Sequence, residues 1–241
     1  MIGVILAAGK GRRISEFTEG MPKSFLTIGG ERLIDRQLES LRRIGIAKII
    51  ILIGYRCELF EKEYNARDII LLKNPFYESS NVLASLWFAR EFLSQGFYFM
   101  HADTYFDHTI LVDLVHTQGS IVLCVNKKPS VPEDMKVCVA GNYITEINKE
   151  MSCEKAYGEF TGLAKVDATA APGVVSAVRK RIEYLGHCND YFEAALQDVI
   201  DQGMEVNCFE IGKRLSIEID FPEDYAHAQQ LYASLAGAHK V

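Results

Sequence analysis

Short unbroken apolar runs punctuate the first half of the chain, and helix-spaced apolar residues fill the gaps between them. Ile2–Leu6 stops at small residues, and such a run suits a strand buried on both faces. Arg32–Gly45 carries Leu33, Ile34, Leu38, Leu41 and Ile44 at helical spacing and closes on a glycine. Lys48–Ile53 predicts a second buried strand, Glu58–Tyr64 a helix and Ile69–Leu72 a third strand. A helix over Ser80–Leu93, with Ser79 or Ser80 as its cap, precedes a fourth strand at Phe97–Met100. A helix near Ile110–Thr117 and a strand at Ile121–Val125 follow. Strand and helix in alternation imply a parallel sheet covered on both faces.

The pattern changes near Lys136. Lys136–Ala140, Gly141-Asn142 and Tyr143–Ile147 read as a hairpin. Helices at Ala171–Tyr184 and Tyr191–Gln202, strands at Glu205–Glu210 and Ser216–Ile219, and a last helix from Pro222 complete the chain. The expected fold is α/β: a three-layer, Rossmann-like arrangement whose central sheet is mixed and mostly parallel, with a small antiparallel hairpin added. No linker interrupts it, so residues 1–241 read as one domain. The change of pattern divides it into a first half of about 1–126 and a second of about 127–241.

Composition narrows the partners. Of 241 residues, 49% are hydrophobic and the net charge is −6, which speaks against nucleic acid or an anionic membrane as a whole-protein partner. No run is long enough for a membrane span. The run Met1–Ala8 leads into Gly9-Lys10 rather than a cleavage site, so no signal peptide is expected and the location reads as cytoplasmic. The six cysteines (57, 124, 138, 153, 188 and 208) show no metal-ligand spacing and read as buried, reduced thiols. The histidines form no hydrolase signature. A homodimer is left open.

Chemistry enters at the first loop, LAAGKGRR at residues 6–13, with Pro22-Lys23 downstream. A small-residue loop after a first strand cradles phosphates with its backbone N–H groups. The dinucleotide fingerprint fails, because Gly9 and Gly11 are followed by Ile14 where the third glycine belongs. That disfavours a nicotinamide-dependent oxidoreductase. The P-loop fails because Gly11 follows Gly9-Lys10. What remains is L-A-A-G-x-G-x-R, met by Leu6, Ala7, Ala8, Gly9, Gly11 and Arg13, followed by P-K. A tight turn with solvent-exposed arginines is the plain alternative.

This pattern resembles the nucleotidyltransferases that make sugar nucleotides and related CDP-alcohols. The resemblance implies a loop wrapping a triphosphate, with Leu6, Ala7, Ala8, Gly9, Lys10, Gly11 and Arg12 around the nucleotide. Arg13 and Lys23 would balance its charge, a role cations serve wherever pyrophosphate departs. Asp103 ends the strand in FYFMHADTYF, and Asp220 ends another in SIEIDFPEDY. Carboxylates at strand ends sit where α/β sheets bind ligands. By resemblance, both are Mg²⁺ ligands, and Asp103 also stands beside the nucleotide. Asp220 could instead cap the last helix. Glu218 alternates with Asp220 and shares its face.

NPFYESSNVLASLWFAREFL resembles the matching segment of phosphocholine and phosphonate cytidylyltransferases, which places Asn81 and Ser85 near the nucleotide. Helix capping explains the same residues. The family's acceptor side is matched by DMKVCVAGNYITEINKE, giving Lys149, and by GEFTGLAKV at Gly158–Val166. A cationic acceptor wants a carboxylate and aromatic faces; Glu159, Tyr157, Phe160, Tyr191 and Phe192 are candidates. The partners implied are CTP, on a nucleotide-binding half of about 1–126, and a small phosphorylated or phosphonate acceptor, on an acceptor-binding half of about 127–241. Phosphocholine and 2-aminoethylphosphonate are favoured, and the product would feed cell-surface or lipid decoration. Inositol-1-phosphate or a sugar-1-phosphate with CTP, UTP or dTTP is the neighbouring alternative. A nucleotide-sensing domain without catalysis is the alternative of another class.

Overall fold

Alternation along single strands explains the layering. The structure, a computed structural model, describes residues 1–238. Its elements in chain order begin with β1 (Ile2–Ala7), α1 (Ser15–Thr18), β2 (Thr27–Ile28), β3 (Glu31–Arg32) and α2 (Leu33–Arg43). Then come β4 (Ile49–Ile53), α3 (Cys57–Glu63), β5 (Ile69–Lys73), α4 (Val82–Phe88), β6 (Phe97–His101), β7 (Thr104–Phe106) and α5 (Thr109–His116). The second half holds β8 (Ile121–Asn126), β9 (Lys136–Ala140), β10 (Tyr143–Asn148), β11 (Gly158–Val166), α6 (Ala171–Arg179) and α7 (Phe192–Asp201). It closes with β12 (Asn207–Glu210), β13 (Ser216–Glu218) and α8 (Pro222–Ala238). Ile49, Ile51 and Ile53 of β4 pack with α2, α3 and α5, while Ile50 and Leu52 pack with α4, α6 and α7. Two apolar cores therefore sandwich one sheet.

That sheet has nine strands in the order β5-β4-β1-β6-β11-β8-β12-β10-β9. The ladders β5–β4, β4–β1, β1–β6 and β8–β12 are parallel. β11 runs against both β6 and β8, and β10 against β12 and β9. Most strands thus share one direction, with β11 and β10 reversed. The expected hairpin, β9–β10, forms. It is not a separate elaboration: it extends the main sheet and touches β11 through β9.

Two sequence readings change. Gly158–Val166, read only as an acceptor segment, is the longest strand of the sheet and joins strands from both halves of the chain. Its alternation is hidden by a bulge between Phe160 and Ala164 that contains Gly162. The helix expected over Ser80–Leu93 is shorter. Neither Ser79 nor Ser80 caps it; Asn81 does, accepting from the Val82 N–H at 2.8 Å, and a 3₁₀ turn over Arg90–Gln95 follows.

Chain order places the ligand crevice. From β1 the chain builds outward through β4 and β5, then returns to β6 on the other side of β1. The two loops leaving the carboxyl ends of β1 and β6 diverge, with Leu6 beside His101 in the ladder. Such a switch point opens a crevice above the sheet. No helix among the described residues is long and apolar enough to cross a membrane. None of the six cysteines is paired, but only Cys124 is buried, and Cys188 is exposed. The expectation of buried thiols therefore holds for one of them.

Candidate active site

The crevice is a cleft of about 500 Å³ at the carboxyl ends of β1 and β6. The first loop forms one wall. Gly11 adopts φ 62°, and a Cβ there would stand 2.9 Å from Lys23 Cβ. Glycine is required for the turn and for the approach of Lys23. A 3₁₀ turn over Lys23–Phe25 then carries the lysine into the cleft.

Asp103 and Asp220 meet through a small ribbon, not through the main sheet. β7 pairs antiparallel with β13, Glu218 opposite Thr104. The Ile219 N–H donates to the Asp103 carbonyl at 3.0 Å. Asp224, in the first turn of α8, accepts from the backbone N–H groups of Asp220 and Phe221 at 3.0 and 2.7 Å. This is one arm of a capping box, and it fixes the backbone that presents Asp220. Asp220 itself points into the cleft, so capping is not its side chain's task.

Lys23 joins the two acids. Its Nζ donates to Asp103 Oδ2 at 2.7 Å and to Asp220 Oδ1 at 2.5 Å. Arg13 reaches the other oxygen of Asp220 at 3.1 Å and lies 5.0 Å over the Phe221 ring. Burial works against the Lys23 ammonium, but the two aspartates outweigh it and hold its pKa above the ordinary lysine value. Burial likewise opposes ionisation of Asp103, and Lys23 and His101 reverse that, so its pKa lies below the usual carboxylate value.

Two carboxylates converging within hydrogen-bond reach of one cation form a seat for positive charge. Hard divalent cations take such oxygen ligands. Asp103 Oδ1 is buried with no hydrogen-bond partner, which leaves it free to ligate. Ligand atoms of His101, Asp103 and Glu218 also lie within 4.8 Å of one another. The donor set fits a divalent ion on Asp103 and Asp220, with Glu218 at hand.

His101 enters the site because the bulge in β11 makes room for it. A Cβ on Gly162, at φ 75°, would stand 2.9 Å from His101 Nδ1. His101 Nδ1 faces Glu218 at 3.7 Å. Burial opposes the imidazolium, but Glu218, Glu193 and Asp103 together lift its pKa to about 9.

Leu6, Ala7, Gly9, Lys10, Gly11, Arg12, Arg13, Lys23, Asn81, Asp103, Asp220, Lys149 and Tyr191 all line the cleft. Three expected residues do not. Ala8 is buried, and its carbonyl accepts from the Tyr55 N–H at 3.0 Å. Ser85 lies behind the cleft and accepts from the fully buried Asn74 Nδ2 at 2.9 Å. One helical turn brings Ser85 beneath Asn81, on the core side. Glu159 lines an adjoining cavity and pairs with Lys128 at 2.8 Å.

Of the expected aromatic residues, Phe160 and Tyr191 line the cleft. Phe192 is buried against Phe99 with ring centroids 4.4 Å apart, and Tyr157 bonds Lys127 and Glu210. Glu193, which no sequence motif marks, lines the cleft and is 2% exposed. Asn74, which ties Ser80 and Ser85 together, also went unread.

Known proteins resemble the chain over nearly its whole length. The choline-phosphate cytidylyltransferase of Streptococcus pneumoniae is 28% identical over 232 residues, covering 96% of this chain and 98% of that protein. The CTP:phosphoglutamine cytidylyltransferase of Campylobacter jejuni is 24% identical over 247 residues, covering 93% and 97%. The solved structure of CTP:phosphocholine cytidylyltransferase from Streptococcus pneumoniae matches with a TM-score of 0.81 at 25% identity, covering 95% of this chain and 98% of that one. The inositol-1-phosphate CTP transferase from T. maritima matches with a TM-score of 0.78 at 25% identity, covering 96% and 94%. Residues 3–203 match the MobA-like NTP transferase domain, and with its switch-point crevice, glycine loop and lysine-bridged aspartates the chain belongs to that family and is a nucleotidyltransferase.

Proposed function

We propose that the chain is a cytidylyltransferase. An anionic oxygen of a small phosphate or phosphonate acceptor attacks the α-phosphorus of CTP. The new P–O bond forms as the bond to the β-phosphate oxygen breaks, and pyrophosphate leaves with that electron pair. The observation that carries this reading is the Lys23 ammonium held between Asp103 and Asp220 beside the Gly9–Gly11 loop.

The chain's own groups divide the work. The backbone from Gly9 to Arg13 offers N–H donors to the triphosphate. Arg13 and Lys23 face the charge that develops on departing pyrophosphate. Asp103 and Asp220 would hold Mg²⁺, which when bound neutralises phosphate charge and aligns donor with acceptor. Lys149, across the cleft, faces the acceptor. The acceptor is already an anion, so no general base is required of any side chain.

CTP is favoured over UTP or dTTP by the relatives, several of which are named as cytidylyltransferases. Pyrophosphate release with Mg²⁺, each nucleotide in turn, and a panel of phosphate and phosphonate acceptors tests the proposal. Turnover with CTP alone supports it. Turnover confined to UTP or dTTP with a sugar-1-phosphate overturns it. Nucleotide binding without turnover of any acceptor would identify a sensor.

A further inference from the structure

Glu193 is the most buried acid in the cleft, and the reaction described above does not use it. It is 2% exposed, and its Oε2 has no hydrogen-bond partner among the described residues. The first turn of α7 tolerates its negative charge through the helix dipole, but that field supplies no partner for Oε2. Two neighbours of opposite charge, His101 and Lys149, stand near it without bonding it, and His101 Nε2 is likewise buried without a hydrogen-bond partner among the described residues. His101 turns Nδ1 toward Glu218, and Lys149 Nζ lies 4.9 Å over the Tyr191 ring. Burial raises the Glu193 pKa above the ordinary carboxylate value, and a ligand cation donating to Oε2 would hold the group ionised.

The aromatic side of the cleft bears on which donor. A quaternary ammonium has no N–H and is held by faces of aromatic rings. Besides the imidazole, Phe160 and Tyr191 are the aromatic residues lining the cleft among the described residues, and Lys149 already covers a face of Tyr191. The cleft therefore offers two aromatic rings, one of them already covered on a face by Lys149, and an unpaired carboxylate oxygen.

We propose that Glu193 is the specificity-determining residue for the acceptor, and that it selects a phosphate or phosphonate bearing a primary ammonium over the same molecule with a quaternary one. The inference rests on the cytidylyl-transfer reading and narrows its acceptor. The ammonium donates to Glu193 Oε2, and the acceptor's phosphate or phosphonate end faces Lys149 and the nucleotide. Three methyl groups on that nitrogen remove every donor and leave Oε2 unpaired.

The test is a matched pair. Phosphoethanolamine and phosphocholine differ only in methylation of nitrogen, and 2-aminoethylphosphonate with its N-trimethyl derivative forms a second pair. Pyrophosphate release with CTP and Mg²⁺ gives kcat/KM for each. The expected preference for the primary amine is about tenfold or more, the size of one charged hydrogen bond. Glu193→Gln keeps the shape and removes the charge. It is expected to raise KM for the amine about tenfold, leave KM for CTP in place, and collapse the preference within each pair. Equal or better turnover of the trimethylated members overturns the inference while cytidylyl transfer stands. So does turnover of inositol-1-phosphate or glycerol-3-phosphate alone, or a preference that Glu193→Gln leaves intact. No turnover of any acceptor would instead overturn the cytidylyl-transfer reading, and this inference with it.

Discussion

Lys23 Nζ stands 2.7 Å from Asp103 and 2.5 Å from Asp220, so one ammonium joins carboxylates that lie 80 and 197 residues further along the chain. Without it, two acids would face each other at the mouth of the sheet. Lys23→Met is expected to lower the rate of pyrophosphate release by on the order of 10²–10³. In chelator it should also lower the urea midpoint, and Mg²⁺ should restore part of the loss by taking the place of the ammonium. A normal rate would remove Lys23 from catalysis. A midpoint indifferent to Mg²⁺ would remove the metal from this pair.

Asp103→Ala and Asp220→Ala are each expected to abolish turnover with the circular dichroism spectrum unchanged. The acids sit at the ends of short elements whose backbone bonding does not depend on their side chains, as the Ile219 N–H to Asp103 carbonyl bond illustrates. Full activity in either variant would exclude that residue from the metal seat.

Gly11 and Gly141 share a left-handed backbone, φ 62° and 61°, but differ in what lies ahead of them. A Cβ on Gly11 meets Lys23, and one on Gly141 meets nothing within 4 Å. Alanine at either should cost about 1–2 kcal/mol of stability through the backbone alone. Only Gly11→Ala should also slow turnover, because only there is Lys23 displaced. Equal kinetics in the two variants would dissociate the loop from the lysine.

Ser85→Ala addresses a residue whose position resembles a nucleotide contact and whose bonding is structural. It removes an acceptor from the buried Asn74 amide, at an expected cost of about 1–2 kcal/mol in urea unfolding, with KM for CTP unchanged. A raised KM for CTP at undiminished stability would return Ser85 to the nucleotide.

Glu159 supplies the pH dependence. Burial raises its pKa, Lys128 opposes, Asp134 and Glu218 add to the rise, and the carboxyl titrates at about 7 in the fold against 4.5 as a free side chain. Between these values the folded chain binds more proton than the unfolded chain, so stability falls as pH rises from about 4.5 to 7 and then levels. Glu159→Gln is expected to flatten this slope, read as urea midpoints from acid to neutral pH. An identical slope in the variant would assign the dependence to another group.

Legibility in the sequence followed periodicity. Buried strands such as Ile49–Ile53 are unbroken apolar runs, and α2 shows its face at regular spacing, so both stand out. Lys23, Asp103 and Asp220 were legible because the loop pattern and strand ends are local features. β11 was not, since the bulge at Gly162 breaks its alternation. Ser85 and Glu159 were misplaced for a related reason: which side of a helix or strand faces the cleft depends on tertiary packing. Glu193 was invisible because an acid in a first helical turn is ordinary until its burial is known.

The reversed strand β11 also bears on how the chain reaches its fold. Its partners in β6, Phe97–Met100, wait for Val166–Leu163 to close the sheet on that side. Until then the edge of β6 carries unpaired N–H and C=O groups flanked by apolar side chains, a template for pairing with another chain. A fragment ending at Asn126 would keep that edge open permanently, and we expect it to aggregate rather than hold nucleotide. Closing β11 requires contacts between distant parts of the chain, so folding should be slow compared with a helical protein of similar length. The strand that makes room for His101 thus also governs when the nascent chain becomes safe from its neighbours.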